Sequence, residues 1–154
     1  MLDRLWQLSY DSPTIDVLRN SKYAIPLIQS VHLFGITLIL AAAVILNFRL
    51  LGWGLTALPF RTLAQESWRW SRVGLLLAVA SGFVVFLPDP ARYAANSAFL
   101  TKMCLLAAAC ILHFTLIRRA VRSQNEQGRK VLAVLSLTLW FAVGWAGRAI
   151  AFLG

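Results

Sequence analysis

Charged side chains are scarce in this chain, because Asp, Glu, Lys and Arg together make up 14% of its 154 residues. A soluble domain usually carries about 25% charged residues and about 45–50% apolar residues. Here hydrophobic residues reach 59%. This composition argues against a water-soluble enzyme and against a disordered chain. It predicts one integral membrane domain that covers residues 1–154.

Cysteine is also rare, which argues against a disulfide-stapled secreted domain. Cys104 and Cys110 lie in one apolar run, about 240° apart around a helix, so they do not face each other. The motif C-x-x-C-H is absent, which excludes covalently attached haem. Motifs of hydrolases and nucleotide-binding proteins are absent as well. We therefore expect an electron carrier or a membrane subunit rather than a stand-alone enzyme.

Long apolar runs dominate what is present. They cover residues 23–48, 70–87, 98–117 and 131–153, and each approaches or exceeds the ~20 residues that a helix needs to cross a bilayer. The runs are continuous rather than alternating, which excludes a β-barrel. The sequence therefore predicts an all-α fold, a four-helix transmembrane bundle, with Pro88-Asp89-Pro90 ending the second span.

Short interfacial helices are predicted outside the spans. Ser12-Pro13 is typical of a helix N-terminus before the first span. Leu58-Pro59 predicts a separate surface helix that runs through Trp68 and Trp70. At the N-terminus, Leu2, Leu5 and Trp6 are expected on the membrane surface.

The net charge of +9 comes from basic residues between the apolar runs, which favours membrane orientation over nucleic-acid binding. The side that holds both termini carries six basic residues, and the other side carries nine. Cytoplasmic loops are the more basic ones. We therefore predict a multi-pass protein of the bacterial inner membrane with both termini in the periplasm.

The chain has two histidines, His32 and His113, and both fall within predicted spans, the first and the third. Neutral imidazole is a common ligand of haem iron. The two spans run in the same direction, and the histidines lie about 14 Å and 22 Å from the outer side. Helix tilt can absorb most of this difference. The alternatives are two separate sites, a pair completed across a dimer, or hydrogen-bonded packing residues.

Further polar and small residues surround the histidines. Gln29, His32 and Gly35 share one helical face, and Gly35 leaves room for a flat macrocycle. Lys102 and Arg148 lie in the outer third of their spans, where they could meet haem propionates or extend to lipid headgroups. Copper is the competing metal, because Met103 and Cys110 share the third span with His113 and soft sulfur ligands favour Cu(I).

Several segments resemble the motifs of a known family. Asn47–Gly52 resembles D-x-R-L-L-G, and residues 90–103 resemble P-x-x-Y-x-x-N-x-x-F-x-x-K-M. Residues 112–114 resemble the end of N-x-x-x-F-H, and residues 136–140 with 147–148 resemble S-L-x-L-W followed by G-R. Together they look like a family of small bacterial four-helix membrane proteins of unassigned function, over residues 28–153.

That family is distantly similar to four-helix b-type cytochromes and to copper-resistance inner-membrane proteins. The resemblance extends to His32, His113, Lys102 and Arg148, whereas Asn47 stands where the pattern has Asp. The leading prediction is a haem b protein for electron transfer, ligated by both histidines, with Lys102 and Arg148 on the propionates.

The expected partners are the lipid bilayer, a quinone or a periplasmic redox protein, and a second copy or a larger membrane complex, without nucleic acid. The alternatives are a non-catalytic subunit of such a complex and a copper-handling transporter.

Overall fold

The computed structural model describes residues 13–54, 57–123 and 125–153, and over these ranges the secondary structure is helical with no strand. The predicted surface residues Leu2, Leu5 and Trp6 and the predicted cap Ser12 lie outside the described residues. The helices are α1 (Pro13–Asn20), α2 (Ala24–Leu51), α3 (Phe60–Phe86), α4 (Pro90–Ala95), α5 (Ser97–Ile111), a π-helical segment (Leu112–Ile117), α6 (Arg118–Ala120) and α7 (Glu126–Leu153).

Four of these stretches are long and apolar enough to cross a membrane: Ala24–Leu51, Phe60–Phe86, Ser97–Ala120 and Glu126–Ala149. The predicted all-α architecture with four membrane-spanning helices is confirmed. Such a set of helices indicates a multi-pass membrane protein, because a helix satisfies its own backbone hydrogen bonds in lipid.

The predicted surface helix after Pro59 does not exist as a separate element. Instead α3 continues without a break from Phe60 to Phe86. Neither glycine nor proline occurs between Pro59 and Gly74, so nothing in this stretch ends the helix before the apolar run begins. The second span is therefore ten residues longer at its start than its hydropathy indicates.

The helix ends follow local chemistry. α2 ends at Leu51, because the next residue, Gly52, has a left-handed φ of 85°, and Trp53 N–H donates to the carbonyl of Phe48 at 2.9 Å. Pro88 ends α3 as predicted. Asn96 then begins α5, because its side-chain oxygen accepts hydrogen bonds from the N–H groups of Ala98 and Phe99.

The predicted helix before the first span is confirmed as α1, with Pro13 as its first residue. Its last turn is tied to the far end of α3, because an Arg19 guanidinium nitrogen donates to the carbonyl of Pro88 at 3.1 Å. This contact brings α1 to the side of the bundle that holds the α3–α4 connection.

α2 and α3 pack with their backbones in close contact. A Cβ on Gly35 would stand 2.7 Å from the Ala78 nitrogen, and one on Gly74 would stand 2.7 Å from the Gly35 oxygen and the Ile39 nitrogen. Only glycine permits backbones to approach this closely, as in other membrane helix pairs. The two glycines therefore fix the register of the first two spans.

Two buried apolar clusters join this pair to the rest of the bundle. One contains Leu46, Leu50, Ala64, Leu112, Ile117 and Ala133. The other contains Ile39, Ala43, Ala109, Trp140 and Val143. α5 packs mainly on α7, and α7 packs on α2, so the long helices pack in the order α3, α2, α7, α5.

The third span contains an irregularity that the sequence does not predict. After Ile111 the helix widens into six residues of π-helix, Leu112–Ile117, and then returns to α-helix. π-helical turns are rare and occur often at functional sites. This π-helical segment contains His113.

Candidate functional site

The two histidines occupy different environments within the bundle. His113 is completely buried, whereas His32 on α2 is half-buried. Each ring has its own partners on α3.

His113 reaches from the π-helical segment to α3. Its Nε2 lies 3.1 Å from the Ser71 hydroxyl, and both residues are fully buried. Its ring stands edge-on to Trp140 of α7, with 6.1 Å between the centroids. Its Nδ1 is buried and has no hydrogen-bond partner among the described residues. An unmade bond on a buried polar atom costs about 1–3 kcal/mol.

A second buried polar contact lies one helical turn along α7 from Trp140. The amide nitrogen of Asn47 donates to the Ser136 hydroxyl at 3.0 Å and to the Ala43 carbonyl at 2.8 Å. Asn47 and Ser136 are both fully buried, and the Asn47 oxygen accepts no hydrogen bond from described residues. We call Asn47, Ser71, His113, Ser136 and Trp140 the inner polar cluster.

His32 is held by the α3 backbone. Its Nδ1 lies 2.8 Å from the Ala78 carbonyl oxygen and 3.2 Å from the Ser81 hydroxyl. A carbonyl oxygen only accepts, so Nδ1 donates and carries the proton. In the neutral ring, Nε2 then keeps its lone pair. The His32 ring can lie against α3 here because residue 82 is glycine, since a Cβ on Gly82 would stand 2.9 Å from Cε1 of the ring.

Lys102 of α5 supplies positive charge near this ring. Its ammonium group interacts electrostatically with His32. Its side chain lies along α7, where a Cβ on Gly147 would meet the Lys102 Cε at 3.6 Å and Nζ at 3.7 Å. His32, Ser81, Gly82, Lys102 and Gly147 thus converge from four helices, and we call them the outer site.

The two sites lie at different depths. The His113 partner Ser71 and the His32 partner Ala78 are seven residues apart on α3, which is about 10 Å along the axis. Lys102 and His113 are eleven residues apart, or about 16 Å. The structure therefore does not bring His32 and His113 together within one chain.

The other predicted site residues are dispersed. Gln29 is exposed on α2. Gly35 does not open space for a macrocycle, because the α3 backbone fills the volume beside it. Arg148 is exposed at one end of an apolar groove between α2 and α7, and it makes no hydrogen bond or ion pair with described residues.

The residues considered for copper do not gather into a ligand set. Met103 and Cys104 are exposed, and Cys110 is half-buried. Over residues 13–54, 57–123 and 125–153 no group of three or more His, Cys, Asp or Glu side chains could hold a metal ion.

Sequence reasoning missed the serines that position both histidines. Ser67, Ser71, Gly74, Ala78 and Ser81 follow one another at spacings of three or four, so one stripe of α3 is small and partly polar. That stripe was available as a signal, because serine in a span is expected to face other helices rather than lipid.

Together these features define a four-helix membrane protein with a buried histidine in its centre and a second histidine near one end. Residues 18–153 match a family of unknown function, DUF6644, and the chain belongs to that family. No curated protein and no solved structure matches the chain. The resemblance to a family of unassigned function is thereby confirmed, while the distant similarity to cytochromes and copper-resistance proteins receives no support.

Proposed function

We propose that this protein is a haem b-binding membrane protein for electron transfer and that His32 would hold the iron. The observation that carries the proposal is the 2.8 Å hydrogen bond from His32 Nδ1 to the Ala78 carbonyl. Histidines that bind metals almost always donate their other ring N–H to a carbonyl or a carboxylate. This bond fixes the ring and leaves Nε2 as the ligand atom.

Lys102 fits the same role. Haem propionates are anionic, and a lysine side chain beside the ligand would compensate their charge. Lys102 interacts electrostatically with His32 and is partly shielded by α7. Arg148, in contrast, lines a groove between α2 and α7, so we assign the propionate contact to Lys102 alone.

His113 is not needed in this site. Its Nε2 is already engaged by Ser71, and about 10 Å separates the levels of the two rings on α3. Bis-histidine ligation, which leaves iron no open position and so limits haem to electron transfer, would take its second imidazole from another copy of the chain. We propose that His32 of a second copy would supply it, so that a homodimer would hold the haem.

The test is the reduced-minus-oxidised absorption spectrum of the purified protein, produced in cells that make haem. We expect α and Soret bands in the wild type, their loss in His32→Ala and their retention in His113→Ala. Gln29→Ala is the matched control, because Gln29 lies one turn from His32 on α2 and is exposed. An unchanged helical circular dichroism spectrum would show that each variant is folded, whereas His32→Ala should elute later in size exclusion because haem no longer joins two copies.

Two results would contradict the proposal. A colourless wild type would remove haem altogether, and the predicted alternative, a non-catalytic subunit of a membrane complex, would then be the leading hypothesis. Bands that survive in His32→Ala would remove His32 as the ligand. Copper content by elemental analysis of the same preparation tests the remaining alternative, a copper transporter.

We further propose that the protein resides in the bacterial inner membrane with both termini in the periplasm. Eight of the twelve arginines lie in or near the α2–α3 and α6–α7 connections, and basic segments of this kind stay in the cytoplasm. They are Arg49, Arg61, Arg69, Arg72, Arg118, Arg119, Arg122 and Arg129. His32 and Lys102 then lie toward the periplasmic side. A quinone in the membrane or a periplasmic redox protein is the electron partner that this position allows.

A further inference from the structure

We infer that the groove between α2 and α7 binds one anionic phospholipid, with its phosphate on Arg148 and one acyl chain along the groove. The groove has a volume of about 330 Å³. Its apolar lining includes Leu40, Val44, Leu137, Phe141, Gly144 and Trp145. Phe141 and Trp145 are 66% and 76% exposed, so no part of the described chain covers them.

The position of Arg148 fits the headgroup region of the bilayer. Eighteen residues separate Arg148 from Lys130 near the other end of α7, which corresponds to about 27 Å of helix. The hydrocarbon core of a bilayer is about 30 Å thick. With Lys130 at one membrane surface, the Arg148 guanidinium reaches the phosphates of the opposite leaflet.

The length of the groove fits one leaflet. Leu137 and Arg148 are eleven residues apart on α7, or about 16 Å. Half of the hydrocarbon core measures about 15 Å. An acyl chain that starts below a phosphate on Arg148 therefore reaches the bilayer midplane where the groove ends at Leu137 and Val44.

The positive charge of Arg148 favours an anionic lipid as the occupant of the groove. Arg148 makes no hydrogen bond or ion pair with the described residues, and a guanidinium pairs with phosphate through two parallel hydrogen bonds. A neutral quinone offers no such anion. A second copy, docked about a two-fold axis normal to the membrane, would bring two Arg148 side chains to the same depth without an acid between them.

The experiment is native mass spectrometry of the detergent-purified protein titrated with phosphatidylglycerol, with phosphatidylcholine and ubiquinone in parallel. We expect one phosphatidylglycerol per chain. Arg148→Gln should weaken its binding by about ten-fold or more, since it removes a charge-assisted contact. Gly144→Leu should also displace it, because a Cβ on Gly144 meets no atom within 4 Å and the side chain fills only the groove.

Matched controls separate this site from general lipid adhesion. Arg92→Gln removes a cation near the same end of the bundle, and Ala107→Leu places a leucine at an exposed position of α5, outside the groove. Both should bind phosphatidylglycerol as the wild type does. Equal binding of phosphatidylcholine, a preference for ubiquinone, unchanged binding in either groove variant, or a dimer that Gly144→Leu dissociates would each overturn the inference. None of these outcomes depends on haem.

Discussion

Replacing Gly74 with alanine tests the contact that fixes the first two spans. The added Cβ would stand 2.7 Å from two backbone atoms of α2, the Gly35 oxygen and the Ile39 nitrogen, whereas ordinary contacts begin near 3.4 Å. Backbone atoms cannot rotate away as a side chain does, so α2 and α3 must separate along their interface. Overpacking of this kind costs about 1–3 kcal/mol.

The same substitution at Gly144 is the internal reference. No atom lies within 4 Å of a Cβ at that position, and alanine is favoured over glycine within a helix by about 0.5–1 kcal/mol. Gly74→Ala should therefore destabilise the protein and Gly144→Ala should stabilise it. The gain in helix propensity applies to both helical positions and cancels between them, so the two variants are expected to differ by about 1–3 kcal/mol in free energy of unfolding.

Unfolding by sodium dodecyl sulfate in mixed micelles, followed by circular dichroism, measures both free energies. The midpoint should move to lower detergent fraction for the Gly74 variant and to higher fraction for the Gly144 variant. Equal shifts, or a Gly74 variant as stable as the wild type, would refute the argument that backbone contact holds α2 against α3.

Two further predictions concern buried polarity and orientation. One interhelical hydrogen bond joins Asn47 to Ser136 at 3.0 Å. In a double-mutant cycle measured by the same unfolding assay, Asn47→Leu and Ser136→Ala should therefore show a coupling free energy of about 0.6 kcal/mol, and at most about 1.7 kcal/mol. Additive effects would show that the hydrogen bond contributes nothing to stability. Because the termini are proposed to face the periplasm, alkaline phosphatase fused after Gly154 should be active, and a fluorescent protein fused at the same site should be dark. The reverse pattern would show that the termini face the cytoplasm.

The spans could be predicted because hydropathy and length determine them. The start of α3 could not, because residues 60–69 are polar and helix continuation there depends on the absence of a breaker rather than on apolar periodicity. The π-helical segment also carries no composition signal. It depends on how the third span packs, which a single sequence does not reveal.

The sequence likewise predicts the two histidines but not how they are arranged in the site. Their number and their location in spans are visible in the sequence, and each could have been a ligand. Their separation depends on which α3 residues they face, Ser71 for one and Ala78 for the other. Depth counted along each span from an assumed membrane boundary differs by about six residues, or about 9 Å, between the two histidines, and helix tilt could remove that difference. Contacts with a common neighbouring helix set the two levels about 10 Å apart.

The π-helical segment Leu112–Ile117 divides the third span into two parts, and it rotates the side chains of the second part about the helix axis relative to those of the first. Before it, α5 presents Ala109 to the cluster around Trp140, and after it Arg118 stacks on the ring of Trp68 at 5.8 Å. Each residue of regular α-helix turns the chain by about 100°, so a shorter, regular turn here would rotate Arg118 away from that ring. The span can thus satisfy two neighbours whose positions no single uninterrupted helix would match.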